Sequence, residues 1–71
     1  MEKRWSFEED YIVCKFCIEQ QYEDIVFGLL AELVERLVDA GFERRSSPAV
    51  YKRAKDFTYL LRGWYAPYAV N

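Results

Sequence analysis

The stretch that decides the fold, residues 44–63, reads RRSSPAVYKRAKDFTYLLRG. Ser46 or Ser47 suits the N-cap of a helix, because a serine hydroxyl accepts a backbone N–H that has no partner inside the helix. The proline that follows suits the first helical turn, and Gly63 suits the position just past the last turn. This pattern predicts a helix over residues 47–62.

The helix predicted over residues 47–62 has one apolar side, and the stretch that contains it is rich in basic residues. At 3.6 residues per turn, the apolar residues Val50, Ala54, Phe57 and Leu61 line one side and are predicted to face the core. Against the single acid Asp56, the stretch carries six basic residues: Arg44, Arg45, Lys52, Arg53, Lys55 and Arg62. Such a charge pattern is typical of a helix that meets phosphates. The alternative is a solvated charged face, which is common on small helical proteins.

The composition indicates one small folded domain. The chain has 71 residues, of which 52% are hydrophobic, enough for a core and too many for a disordered chain. No apolar run reaches transmembrane length, and the first residues, MEKRWSFEED, do not resemble a signal peptide. We therefore expect no membrane association and a cytoplasmic location.

The net charge of −2 hides an uneven distribution. Residues 1–43 carry 4 basic and 11 acidic side chains, whereas residues 44–71 carry 6 basic and 1 acidic. A local basic patch determines the electrostatic field at a docking surface within about 10 Å. The negative net charge of the chain therefore does not exclude binding to nucleic acid. The acidic part equally fits a protein-binding surface.

The first helix is predicted over about residues 7–20. Ser6 and Glu9 form the S-x-x-E pattern of a capping box. One apolar stripe, with Ile12, Val13, Phe16 and Cys17, suits the core. A second stripe repeats at i, i+4, i+7 and i+11 on another side and consists of Phe7, Tyr11, Cys14 and Ile18. A helix that is apolar on two sides must be covered on both, so the second stripe predicts an interface with the chain's own tail, a second copy or a protein partner.

The second helix is predicted over about residues 25–40, with Asp24 as a candidate N-cap and Gly41 just past its end. Val26 belongs to its apolar stripe. After Gly63 comes an aromatic tail, residues 63–71, which reads GWYAPYAVN. We expect that tail to pack on the helices, over the second stripe of the first helix.

The residues that carry chemistry are few. The chain has no histidine, no glycine-rich phosphate loop and no nucleophile with a recognisable base, so no enzyme activity is predicted. Cys14 and Cys17 form a C-x-x-C, but without a second pair they supply half of the ligands of a zinc site. We therefore predict no metal site and no cofactor, and expect these cysteines to behave as small apolar residues.

Two motifs resemble a known family. Trp5-Ser6-x-Glu8-Glu9-Asp10 resembles the W-[ST]-x-E-E-D opening of Myb/SANT-like domains. Residues 45–53, which read RSSPAVYKR, resemble the R-S-x-x-A-V-x-x-R opening of the third helix of those domains. The continuation over residues 54–63 is similar to small Myb-like helix-turn-helix domains of bacteria and their phages. The two motifs cover about half of the chain.

The resemblance implies an all-α, three-helix, homeodomain-like helix-turn-helix bundle whose third helix enters the DNA major groove. It implies that Pro48, Tyr51, Lys52 and Lys55 lie near base edges or phosphates. The charges and hydroxyls of the turn before that helix add further predicted DNA contacts: Arg44, Arg45, Ser46 and Ser47. The resemblance also implies a structural ion pair between Arg53 and an acid of the opening motif, Glu9 or Glu8.

The sequence therefore predicts a small protein that binds double-stranded DNA in a regulatory role, with the second stripe of helix 1 as an interface for a second copy or a protein partner. The alternative is a phage-type inhibitor or adaptor that uses the same fold to bind a protein.

Overall fold

Three helices make up the fold. In a computed structural model, residues 4–21 and 26–70 are described, with the backbone alone for Phe27 and residues 64–70. Helix α1 spans Phe7–Glu19, α2 spans Phe27–Asp39 and α3 spans Ser47–Val70. Each helix packs against the other two, and the described residues include no β-strand. The predicted all-α, three-helix class is confirmed, whereas the homeodomain-like arrangement of the helices stays a prediction.

Helix α1 begins as its sequence predicts. The Ser6 hydroxyl accepts the Glu9 backbone N–H at 3.2 Å, and the Glu9 carboxylate accepts the Ser6 backbone N–H at 3.0 Å. This reciprocal capping box satisfies two backbone donors that a helix start leaves without partners. The helix ends at Glu19, and Gln21 turns the chain with a left-handed φ of 56°.

Helix α2 starts later than predicted and ends as predicted. Its N-cap is Val26, which provides no side-chain hydrogen bond and is exposed, and Asp24 lies outside the described residues. At its end Gly41 has a φ of +99°. The Gly41 N–H donates to Val38 at 2.9 Å and the Phe42 N–H donates to Leu37 at 3.2 Å. These two bonds form a Schellman motif and satisfy carbonyls that the helix end leaves open.

Helix α3 begins as predicted but does not end at Gly63. The Ser46 hydroxyl lies 3.4 Å from the Ala49 backbone N–H, which makes Ser46 the N-cap. The helix then continues through Gly63 to Val70, 24 residues and about 36 Å. The predicted helix end and separate tail are therefore wrong for residues 63–70, because Gly63 does not adopt the left-handed φ of a helix stop. Where the side chains of residues 64–70 pack lies outside the described part of the chain.

These two glycines should respond to alanine with opposite signs. Gly41→Ala is expected to destabilise the protein by about 1 kcal/mol, because a side chain is strained at positive φ. Gly63→Ala is expected to stabilise it by about 0.5–1 kcal/mol, because alanine is the better residue inside a helix and a Cβ at this position meets open space. Urea unfolding followed by circular dichroism measures both. Destabilisation by Gly63→Ala would show that α3 ends there.

The core draws on all three helices. The most deeply buried side chains of α1 and α2 include Val13, Phe16, Cys17 and Leu33. From α3, the predicted core residues Val50, Ala54 and Leu61 are buried and Phe57 is partly buried. The apolar side predicted for α3 is thus confirmed. Within the described residues, no helix has both the length and the apolar character needed to cross a membrane.

Candidate nucleic-acid interface

Arg45 is held inside the protein by residues at the start of α1. Its Nε donates to Glu9 at 2.7 Å, and its Nη2 donates to Glu9 at 3.0 Å and to the Arg4 carbonyl at 2.9 Å. The guanidinium also lies 4.2 Å from the centre of the Trp5 ring. Both side chains of the ion pair are only 7% exposed. The DNA contact of Arg45 stays a prediction, and it would compete with the hydrogen bonds that this guanidinium donates to Glu9 and Arg4.

Glu9 joins the start of α1 to the turn before α3. The hydrogen bonds from Arg45, opposed by burial and assisted by the Ser6 donors, lower the pKa of Glu9 from 4.5 to about 2. The carboxylate therefore stays charged at any ordinary pH. Its role is to hold Arg45 and cap α1, which leaves it no surface to offer a ligand.

The second ion pair between α1 and α3 joins Arg53 and Asp10. The Arg53 Nε and Nη2 donate to the two carboxylate oxygens of Asp10 at 2.8 and 2.7 Å. The predicted pairing of Arg53 with Glu9 is wrong, because Arg45 and Ser6 already occupy the Glu9 oxygens. Arg53 is nevertheless structural, as predicted, and joins the same two helices.

Arg44 lies on the surface but is paired with an acid of α2. Its Nη2 donates to both carboxylate oxygens of Glu35, at 2.7 and 3.0 Å, and both side chains are more than half exposed. A phosphate can reach this arginine only in competition with Glu35. Arg44 is thus a weaker candidate contact than its charge alone predicts.

The outer side of α3 holds the remaining candidates. Pro48, Tyr51, Lys52 and Lys55 are exposed there, as predicted. One turn further on, the Tyr59 ring lies between Lys55 and Arg62, whose charged groups are 5.8 and 5.9 Å from its centre. The positions 52, 55, 59 and 62 repeat at helical spacing, which is the sequence signal for this cluster. We call Tyr51, Lys52, Lys55, Tyr59 and Arg62 together the α3 outer face.

The turn before α3 leads into the exposed start of that helix. Ser46 uses its hydroxyl to cap the helix and lies at its exposed start. Ser47 and Pro48, also exposed, form the first turn, where backbone N–H groups attract anions. The predicted serines therefore lie beside the α3 outer face, at its N-terminal edge.

The second apolar stripe of α1 is exposed. Phe7 is 83%, Tyr11 60% and Ile18 47% exposed, whereas Cys14 is half-buried and packs in part against the core. The residues predicted to form an interface therefore do lie on one uncovered side of α1.

The two cysteines differ in their surroundings. Cys17 is fully buried, where its thiol lies 3.5 Å from both the Ala54 carbonyl and the Thr58 hydroxyl. Burial raises the pKa of the Cys17 thiol, which disfavours the reactive thiolate. Among residues 4–21 and 26–70, no group of three or more potential metal ligands of the types His, Cys, Asp and Glu comes together.

Comparison with known proteins yields no relative: no protein-family model, curated protein or solved structure matches this chain.

Proposed function

We propose that the protein binds double-stranded DNA through the α3 outer face, with α3 docked in the major groove in a regulatory role. The proposal depends on one observation, the exposure of Lys52 and Lys55 and their lack of an ion pair with a described residue. Both are exposed, and neither forms an ion pair with a described residue, while Arg45 and Arg53 are held by acids of α1. Among the basic residues of α3, Lys52 and Lys55 therefore present two exposed charges on one side of the helix.

The chemistry of this face suits a phosphate backbone. Lys52, Lys55 and Arg62 lie within eleven residues of helix, about 15 Å, which allows contacts with several phosphates. Tyr51 and Tyr59 add hydroxyl donors and flat rings between the charges. Acidic side chains on the outer sides of α1 and α2, such as Glu8 and Glu32, disfavour approach of DNA from those directions.

A duplex-binding titration tests the proposal. With about three phosphate contacts, the logarithm of the binding constant should fall against the logarithm of salt concentration with a slope of about −3. Lys52→Ala or Lys55→Ala should each weaken binding about tenfold at ~50 mM salt and reduce the magnitude of the slope by about one. Fluorescence anisotropy of a labelled duplex gives both quantities.

Lys15→Ala is the matched control, because it removes the same charge from an exposed position on α1. At protein concentrations where the chain is monomeric, this variant should bind DNA within about twofold of wild type, since it alters no contact of the α3 outer face. Equal losses of DNA affinity in the Lys15, Lys52 and Lys55 variants would show that binding depends on the net charge and not on the α3 outer face. An absence of duplex binding at low salt would overturn the proposal.

The second candidate function is binding of another protein, as an adaptor or inhibitor. The exposed Phe7, Tyr11 and Ile18 favour it, because an apolar stripe of this kind marks an interaction surface. Capture of a partner that survives nuclease treatment and is lost in Phe7→Glu would support this function. Retention of the partner by Phe7→Glu would place the contact elsewhere.

A further inference from the structure

We propose that a second copy of this chain covers the exposed stripe of α1, with the two α1 helices packed antiparallel about a two-fold axis. Nothing in the described part of the chain covers Phe7, Tyr11 or Ile18. The tail that was expected to lie there instead continues α3 as far as Val70. The stripe is therefore left exposed by the residues that the structure describes.

The spacing of the stripe is that of a helix-helix seam. Its members fall at positions 7, 11, 14 and 18, with steps of four, three and four residues. This alternation is the a/d repeat by which two helices interlock their side chains. The stripe is about 16 Å long, or three turns, so it matches another short helix better than a sheet edge or an extended peptide.

The charges beside the stripe indicate that the occupant is a second α1. Glu8 and Lys15 are exposed, and each follows a stripe residue directly, so both lie on the same flank of the seam. Neither forms an ion pair with a described residue. When two copies run antiparallel, Glu8 of each lies near Lys15 of the other, which gives two ion pairs by symmetry. A second copy of α1 therefore supplies a helix whose charges complement those beside the stripe.

The antiparallel arrangement also matches the apolar side chains. It places the large Phe7 opposite the partner's Ile18, and Tyr11 opposite the smaller Cys14 of the partner. A parallel arrangement would stack Phe7 on Phe7 and would leave Glu8 and Lys15 at different heights. The alternation of large and small side chains thus favours the same orientation as the charges.

An interface of three turns is small, so the dimer should be weak and dependent on concentration. Sedimentation equilibrium from about 10 μM to 1 mM should show the mass rise from that of one chain towards that of two, as a small interface allows. Ile18→Glu should remain a monomer throughout. A wild-type chain that stays monomeric over the whole range would overturn the proposal.

A charge swap tests the identity of the partner. Glu8→Lys and Lys15→Glu should each raise the dissociation constant about tenfold, because each replaces two attractions with two repulsions. The double variant E8K/K15E should return to within about threefold of wild type, because the attractions are restored with exchanged signs. Asp39→Lys, an exposed reversal on α2, is the matched control and should have no effect. Failure of the double variant to recover would overturn the antiparallel pairing.

Disulfide cross-linking tests the orientation independently. In a Cys14→Ser background, the double variant F7C/I18C should form a cross-linked dimer under mild oxidation. Each single variant should not, because equivalent positions would lie about 16 Å apart along the seam, beyond the ~7 Å reach of a disulfide. Cross-linking by F7C alone would indicate parallel helices and overturn the proposal. These tests need no DNA, so their outcome is separate from that of the proposed DNA binding.

Discussion

Glu9→Gln is expected to reduce the free energy of unfolding at pH 7 by about 3 kcal/mol, because it leaves the buried Arg45 guanidinium without its counter-charge. Glutamine keeps the side-chain acceptor of the capping box, so the change isolates the ion pair from the helix cap. Urea unfolding followed by circular dichroism at 222 nm measures the loss.

The same pair should make stability depend on pH below neutrality. The pKa of Glu9 is about 2 in the folded protein against 4.5 for the free side chain, so the folded state favours the ionised form. The stabilisation is therefore fully present above about pH 4.5 and is lost as the pH falls towards 2, by about 3 kcal/mol in total. Glu9→Gln should lack this part of the pH dependence.

Glu8→Gln provides the matched control for both measurements. Glu8 is the preceding residue, in the same first turn of α1, but its side chain is exposed. The substitution should cost less than about 1 kcal/mol, the value of an exposed charge near a helix N-terminus. If Glu8→Gln and Glu9→Gln destabilise the protein equally, the effect belongs to the helix dipole and not to the ion pair with Arg45.

Phe16→Ala is expected to destabilise the protein by about 3–5 kcal/mol, because it removes the largest fully buried side chain and leaves a cavity. Arg36 lies 4.9 Å from the centre of the ring and would lose this contact as well. A chain of 71 residues has a total stability of about 4–11 kcal/mol, so the variant should be close to unfolding. Thermal and urea unfolding, begun at low temperature, measure the loss.

Two companion variants make this result interpretable. Ile18→Ala, two residues along the same helix, removes a half-exposed side chain and should cost about 1 kcal/mol or less. Phe16→Leu should cost less than Phe16→Ala and remain folded, which keeps the comparison measurable if the alanine variant does not fold. Similar losses for Phe16→Ala and Ile18→Ala would show that Phe16 is not the centre of the core.

Local motifs were predictable from the sequence because their partners lie within a few residues. Ser6 and Glu9 are three positions apart, and the structure confirms their reciprocal bonds. Gly41 ends α2 with the predicted left-handed backbone. The apolar periodicity of α3 likewise predicted which side of that helix meets the core, since helical geometry alone fixes that relation.

Long-range pairings were not predictable, because periodicity does not say which residue of one helix meets which residue of another. The acids of α1 and the arginines near α3 are evident in the sequence, but the predicted partner of Arg53 is Glu9, whereas the structure pairs Glu9 with Arg45 and Arg53 with Asp10. A count of basic residues likewise does not reveal that Arg45 is already paired. The helix end predicted at Gly63 is wrong for a related reason. A helix continues through a glycine at a modest cost in free energy if the residues on both sides remain helical.

The ion pairs Glu9–Arg45 and Asp10–Arg53 join the start of α1 to the turn before α3 and to α3 itself, which affects how these parts assemble during folding. Forming Glu9–Arg45 closes a loop of 36 residues that contains the whole of α2, and forming Asp10–Arg53 alone would close one of 43. Once Glu9–Arg45 has formed, Asp10–Arg53 closes a further loop of only one residue from Glu9 to Asp10 and eight residues from Arg45 to Arg53. The entropic cost of closing that loop is therefore smaller by about 1 kcal/mol. Formation of either ion pair therefore lowers the entropic cost of forming the other. The first turns of α1 and α3 are expected to assemble as one cooperative unit.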